Sequence, residues 1–338
     1  MGVGGVSSPG GTGPHDGEGA SSSTGASQTS PPPTADVVVL AGGTGGAKLA
    51  RGMLDVVSPE RLAVIANTGD DIEIYGAHVS PDPDLISFWL ADQIDARGWG
   101  LRDDSFRVMD GLRGLGVDVW FNLGDLDLAW CLERARMLAE GHTPTAALAH
   151  LNEALGVRAR VLPMSDHQVR TWVHSAGGWC SFQEFMIREQ AAGMIEGLEF
   201  RGAEHASPSP AVLAAIAGAR AIVIGPSNPL ASIAPILAVP GMREALAAAP
   251  APVVAVSPIV GGDVLKGPTA AFMAFAALEC NAKGVADFYG ELLDGLISDE
   301  PSPEGGPAAL RIDTRMSDAP ARARVAEQVL EFADSLAG

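Results

Sequence analysis

A run of branched apolar residues, Val37-Val38-Val39-Leu40, passes directly into Gly42-Gly43-Thr44-Gly45-Gly46 and then into a segment with helical spacing. No other local pattern in the chain restricts the fold so strongly. A strand without polar alternation is buried on both faces, which is the mark of a parallel strand in an α/β sheet. The glycines allow a tight turn at its end. Leu49, Met53, Leu54 and Val57 then share one helical face, and Leu62–Ala66 reads as the second strand of a βαβ unit.

The same pattern recurs further along. Ala221-Ile222-Val223-Ile224 runs into Gly225-Pro226-Ser227-Asn228-Pro229, and Val253-Val254-Ala255-Val256 runs into Ser257-Pro258 and the glycines 261–262. In open α/β sheets such loops gather at the carboxyl edge, where ligands bind. The stretch from Leu85 to Leu155 reads as mainly helical, with a short strand expected over Gly116–Leu123. A hairpin is expected with Val169–His174 and Trp179–Phe185 flanking Gly177-Gly178, and residues 318–337 read as a closing helix. The predicted fold class is therefore α/β: a doubly wound, mostly parallel, Rossmann-like sheet with a helical and β-hairpin insertion over roughly residues 85–205. Residues 35–338 form the expected single domain. Residues 1–34, rich in Gly, Ser and Pro and ending in Pro31-Pro32-Pro33, bury too little apolar surface to offset their ordering entropy and are expected to be a disordered tail.

Charge and cysteine content narrow the function classes. There are 22 Lys+Arg against 41 Asp+Glu, a net charge of -19. So acidic a surface repels nucleic-acid backbones, and no nucleic-acid partner is expected. A small phosphorylated ligand remains compatible, since a helix N-terminus or a carboxylate-bound metal holds phosphate locally. Cys131, Cys180 and Cys280 are scattered, as buried thiols in a reducing compartment would be. No apolar run of membrane-spanning length and no secretory signal is present in the sequence. The expected location is cytoplasmic, with no membrane partner.

Several segments could carry chemistry. The turn Gly42, Gly43, Thr44, Gly45, Gly46 can bring backbone N–H groups against a phosphate; it matches neither GxxxxGK[ST] nor a clean GxGxxG. Asn67-Thr68-Gly69-Asp70-Asp71 and Pro81-Asp82-Pro83-Asp84 put carboxylates at the same sheet edge, suited either to a hard cation such as Mg²⁺ or to turn closure. Asn122-Leu123-Gly124-Asp125-Leu126-Asp127 follows an apolar run, and its acids serve function or helix capping equally well. Arg170 can clamp an anion or lie exposed on its strand, and His167 lacks the GxSxG context of a catalytic triad. Ser227-Asn228 and Ser257-Pro258 make two rigid polar loops at strand ends.

Taken in order, AGGTGGAKL, ANTGDD, SPDPDLISFWLADQID, RGWG, LGDLD, LPMSDHQVRT, FQEF, IGPSNPLASIAPIL, PGMREAL and AVSPIVGG resemble the 2-phospho-L-lactate transferase family of coenzyme F-420 biosynthesis, from Asp36 to the last helix. The resemblance implies a Mg²⁺-dependent transferase. Its substrates are small molecules, the deazaflavin Fo and a guanosine-diphosphate-linked phospho-organic acid (phospholactate, phosphoenolpyruvate or phosphoglycerate), and GMP is released. It also implies a homodimer. Residue by residue, it implies Asp84 and Asp70 as catalytic groups, with Asp84 at the acceptor hydroxyl. Asp70, Asp82 and Asp84 become the metal-ligand candidates. Asn67, Asn122, Asp125, Ser227 and Asn228 join the glycine turn as substrate-binding positions. The family usually reads GDRD, whereas Leu126 stands here in place of the Arg, and Asn122 stands where a basic residue is frequent. Two other classes remain. A nucleotide-sugar-binding regulator similar to the gluconeogenesis-factor proteins would share the glycine turn. A nicotinamide-dependent oxidoreductase would want an acid ending the second strand, where Asn67 stands.

Overall fold

The computed structural model describes residues 35–264, 267–301 and 305–337, so the expectation for residues 1–34 lies outside them. The elements begin with β1 (Val37–Ala41), α1 (Gly43–Met53) and β2 (Leu62–Ala66), then a hairpin of β3 (Ile72–Ile74) and β4 (Ala77–Val79). Helices α2 (Pro81–Leu90), α3 (Arg107–Gly114), α4 (Asp125–Ala139) and α5 (Pro144–Ala154) follow. Then come β5 (Arg160–Pro163), β6 (Arg170–Ser175), β7 (Gly178–Ser181), α6 (Phe182–Ile187) and β8 (Gly197–Arg201). The C-terminal half adds β9 (Ala221–Ile224), β10 (Val253–Val256), the short pair β11 (Ile259–Val260) and β12 (Asp263–Val264), β13 (Gly295–Ser298) and β14 (Ala308–Arg311), and ends in a helix over Ala319–Leu336.

Seven strands form one sheet in the order β14-β13-β10-β9-β1-β2-β5, all parallel. The apolar runs explain its centre. In β1, Val38 and Leu40 enter the core on one face of the sheet, while Val37, Val39 and Ala41 enter the core on the other. β2, β9 and β10 divide in the same way, with Ala63 and Ile65, Ile222 and Ile224, and Val253 and Ala255 on the first face. Full burial of each Val, Ile or Leu contributes roughly 1.5–3 kcal/mol, which is why these strands tolerate no polar alternation. The second face is covered by Leu49, Ala50 and Met53 of α1 and by Val325, Val329 and Leu330 of the C-terminal helix. From β1 the chain winds out through β2 to β5, and the later strands lie on its other side. The switch between β1 and β9 opens a crevice at their carboxyl ends.

The α/β sheet, four of its strands and the closing helix stand as the sequence indicates. Three details differ. The stretch taken as an insertion, residues 85–205, contains β5, which pairs with β2 at the end of the main sheet. The strand expected over Gly116–Leu123 is irregular chain: Leu115 and Val117 are exposed and no neighbouring strand pairs with it among the described residues. The hairpin is present as β6 and β7, antiparallel, but Phe182–Phe185 turns into α6 because Ser181 and Glu184 form a capping box there. A third, smaller core joins the β3–β4 hairpin to α2 and α4 through Val79, Phe88, Trp130 and Cys131. Among the described residues no helix is long and apolar enough to cross a membrane.

Candidate active site

The glycine turn is built by close approach. Gly43 has φ +64, a left-handed conformation that L side chains rarely adopt. At Gly45 an added Cβ would stand 2.0 Å from the Pro226 carbonyl oxygen, so the turn and the loop after β9 pack backbone to backbone. Ser227 ties the two together: its Oγ accepts from Gly42 N at 3.2 Å and donates to Gly42 O at 2.7 Å. No side chain caps α1 at Gly42, and its first turn carries no acid. The first-turn N–H groups beyond Gly43 therefore face the crevice without intrahelical partners, as an anion site requires. Gly43 N itself is committed, donating to Asp82 Oδ1 at 2.6 Å.

Asp82 and Asp70 stand together beside this turn. Asn67, buried at the end of β2, donates its Nδ2 to Asp70 Oδ1 at 3.0 Å and to Asp82 Oδ2 at 2.9 Å. Its own Oδ1 accepts from Gly69 N at 2.8 Å, which fixes the amide. Both carboxylates are buried. Burial, and for Asp70 the charge of Asp82, holds Asp70 well above the usual carboxylate range; burial likewise pushes Asp82 up, against the bonds from Asn67 and Gly43. Two hard oxygen donors that repel each other at one spot create a demand for positive charge, and a Mg²⁺ ion fits that donor set.

A cavity of about 800 Å³ opens in front of these groups. Its sheet-edge wall is Gly42, Gly43, Thr44, Gly45 and Lys48, with Asp70, Asp82, Ser227, Asn228 and Ser257. Its outer wall is aromatic and apolar: Trp99, Trp120, Phe121 and Asn122 from the chain around α3, and Phe182, Met186 and Ile187 from α6. Pro258, Val260, Thr314 and Met316 also line it. One side thus offers N–H donors, a lysine and paired carboxylates, and the other offers flat aromatic surface. Such a space suits a ligand with phosphate at one end and a ring at the other.

The structure brings together Gly42, Gly43, Thr44, Gly45, Asp70, Asp82, Asn122, Ser227 and Asn228. Gly46 is set back against Ala41 and the Ser227 hydroxyl, and Asn67 acts from behind the carboxylates. Asp84, expected at the acceptor hydroxyl and as a metal ligand, is not in the lining. Its carboxylate is held by both terminal nitrogens of Arg134, with NH1 at 3.0 Å from Oδ2, and by Trp130 Nε1 at 2.7 Å from Oδ1. The reason is helical: Asp82 and Asp84 lie in the first turn of α2, two residues and so about 200° apart, and face opposite sides. Asp84, Asp127 and Cys131 do lie close enough to share an ion, but Arg134 already supplies the cation there. Burial, then the charges of Asp84 and Asp104, push Asp127 up to about 7.

Asp125, expected at the substrate, instead accepts from Ser105 Oγ at 2.5 Å and from Val108 N at 3.0 Å, holding the start of α3 outside the cavity. Arg170 pairs with Glu73 at 2.6 Å and stays out of the lining. Lys48, Gln183, Trp99 and Trp120 also line the cavity. Lys48, Trp99 and Gln183 lie within AGGTGGAKL, RGWG and FQEF, whereas nothing local to Trp120 or Thr314 announces a binding wall.

The family model described as 2-phospho-L-lactate transferase CofD matches residues 37–311. A 2-phospho-L-lactate transferase of Methanosarcina mazei is 36% identical over 265 residues, covering 78% of this chain and 87% of the relative. A phosphoenolpyruvate transferase of Kitasatospora aureofaciens is 41% identical over 319 residues, covering 89% and 98%. Among solved structures, protein BH3568 from Bacillus halodurans superposes with a TM-score of 0.57 at 19% identity, over 88% of this chain and all of that one, which shows a shared fold.

Proposed function

Since the chain belongs to the 2-phospho-L-lactate transferase CofD family, a transferase family of coenzyme F-420 biosynthesis, we propose that it moves a phospho-organic acid from a guanosine-diphosphate-linked donor to the terminal ribityl hydroxyl of the deazaflavin Fo, with release of GMP. The acid is phospholactate, phosphoenolpyruvate or phosphoglycerate. The observation that carries this reading is the shared cavity, in which the glycine turn and the Asp70–Asp82 pair face an aromatic wall.

In the proposed reaction the hydroxyl oxygen forms a bond to the phosphorus bearing the organic acid, and the bond from that phosphorus to GMP breaks. The hydroxyl proton ends on the released phosphate or in water. Displacement at phosphorus asks a protein mainly for positioning and charge neutralisation. The α1 N-terminus and Lys48 receive the diphosphate, while Trp99, Trp120 and Phe121 hold the ring. Phe182, Met186 and Ile187 exclude water that would compete with the hydroxyl. Asp70 and Asp82 would hold Mg²⁺, which supplies charge neutralisation at the phosphate oxygens. Asp84 acts by holding α2 against α4, and so by placing Asp82.

Titration of Fo into the purified protein, followed by its fluorescence with and without Mg²⁺ and GDP, tests the reading. Saturable micromolar binding, and GMP formation once a donor is added, is the expected result. Absence of Fo binding with GDP binding retained overturns it in favour of a nucleotide-binding regulator.

A further inference from the structure

Asn122 lines the cavity next to Phe121 and Trp120 in its aromatic wall. Its Oδ1 accepts from Arg113 NH2 at 2.9 Å. Arg113 stands in the last turn of α3, and its NH1 donates to Asp110 Oδ1 at 2.9 Å, which steadies the guanidinium from the other side. The chain turns back at Gly116, φ +83, and so returns residue 122 to the end of the helix. Neither Arg113 nor Asp110 lines the cavity.

An amide is symmetric in shape, and left alone it can offer either its oxygen or its nitrogen to a ligand. Arginine has five donors and no acceptor. The atom facing Arg113 must therefore be the oxygen, because a flip would set N–H against N–H. With Oδ1 bound, Nδ2 is the end of Asn122 left for a ligand, and the adjacent positive charge polarises it into a better donor.

We propose that Arg113 is a positioning residue that fixes Asn122 as a hydrogen-bond donor, so that the aromatic wall selects a planar ring carrying an oxygen acceptor on its edge, such as a ring carbonyl. This rests on the reading that the aromatic wall takes the ring of the acceptor. Selectivity arises because a ring presenting a donor at that edge meets Nδ2–H and loses its own hydrogen bond.

The test measures Fo affinity by fluorescence for the wild type, Arg113→Ala, Arg113→Lys, Asn122→Ala, Asn122→Asp and the Arg113→Ala/Asn122→Ala double variant, with thermal melting to confirm folding. Arg113→Ala and Asn122→Ala should each weaken binding roughly ten-fold, and the double variant should be no weaker than Asn122→Ala alone. Arg113→Lys should fall between wild type and Arg113→Ala. Affinity for GDP should stay within about two-fold of wild type throughout. Asn122→Asp separates this role from a merely structural tie: the carboxylate keeps the contact with Arg113 but presents an acceptor, so Fo binding should be lost as in Asn122→Ala. Wild-type affinity in Asn122→Asp, or additive losses in the double variant, overturns the assignment while leaving the acceptor reading intact. Failure of the wild type to bind Fo overturns both.

Discussion

Asp84 and Arg134 form an ion pair sealed between α2 and α4, with side chains 5% and 4% exposed. Trp130 Nε1 and Ser80 N also donate to the carboxylate, and Arg134 NH1 donates onward to the His78 carbonyl at 3.0 Å. Removing one partner leaves the other charge buried and uncompensated. Asp84→Asn should therefore destabilise the protein by about 3–5 kcal/mol, and replacing both residues together by Leu and Met should cost much less. Urea denaturation of the single and double variants checks this. If Asp84→Asn lost turnover at unchanged stability, the ion pair would not be its role, and a direct part in the chemistry would stand again.

The Asp70–Asp82 pair should respond in the opposite sense. Replacing Asp70 by its amide removes a buried like-charge repulsion and keeps an oxygen for the bond from Asn67, so Asp70→Asn should match or exceed wild-type stability without metal near pH 7, whereas Asp82→Asn sets an N–H against Gly43 N or Asn67 Nδ2 and gains less. Mg²⁺ should raise the melting temperature of the wild type and leave that of Asp82→Asn unchanged. Transfer should fall at least about 100-fold in the variant. Melting with and without Mg²⁺ separates the two effects, and equal stabilisation of variant and wild type by Mg²⁺ would remove Asp82 from the metal site.

Gly45→Ala is the most direct probe of the phosphate turn. The added methyl would meet the Pro226 carbonyl at 2.0 Å, and a backbone atom cannot swing aside as a side chain can. The loss should be about 1–3 kcal/mol, and GDP affinity should fall because the first turn of α1 must shift. Gly43→Ala, where no atom lies within 4 Å, should bring only the strain of its positive φ, about 1 kcal/mol. Calorimetric titration with GDP, beside thermal melts, compares the two.

How far the sequence foretold this arrangement follows from what each residue touches. Val37–Leu40 and Ala221–Ile224 announced themselves because a parallel strand covered on both faces must be apolar throughout. β5 is not legible in the sequence, since it is only Arg160–Pro163, at the end of the sheet and ending in proline. The PDPD motif showed that a carboxylate would reach the crevice, but the choice between Asp82 and Asp84 depends on how α2 is rotated against α4. That is a tertiary fact. The neighbours Asp70 and Asp71 divide similarly: one joins Asp82, while Asp71 accepts from Ser80 Oγ at 2.6 Å and faces His78. The aromatic wall was hidden because Trp99, Trp120 and Phe182 come from three separate segments and meet only in the folded chain.

His78 gives a pH dependence whose sign is fixed. Its ring lies between Asp71, at 3.1 Å from Nε2, and Glu73, at 3.2 Å from Nδ1. Burial alone would favour the neutral ring, and Arg134 opposes the charge as well. The two carboxylates override both and raise the group from 6.5 to about 9. Between those values the folded chain binds a proton that the unfolded chain has released. The stabilisation is thus complete below pH 6.5 and is lost as pH rises through 9. Glu73 is lowered, chiefly by its bond to His78, to about 2, so its own contribution disappears only in acid, outside this window. Asp127, held near 7, also titrates there, which makes the difference from a His78 variant more informative than the wild-type slope. His78→Gln keeps hydrogen-bonding capacity without the charge. It should be less stable than wild type by on the order of 2 kcal/mol at pH 6, and the gap should close toward pH 9.5. Denaturation curves at half-unit intervals give the result directly. A gap that stays constant across the window would mean that His78 packs as a neutral ring and that Asp71 and Glu73 take their charge balance from Arg170 instead.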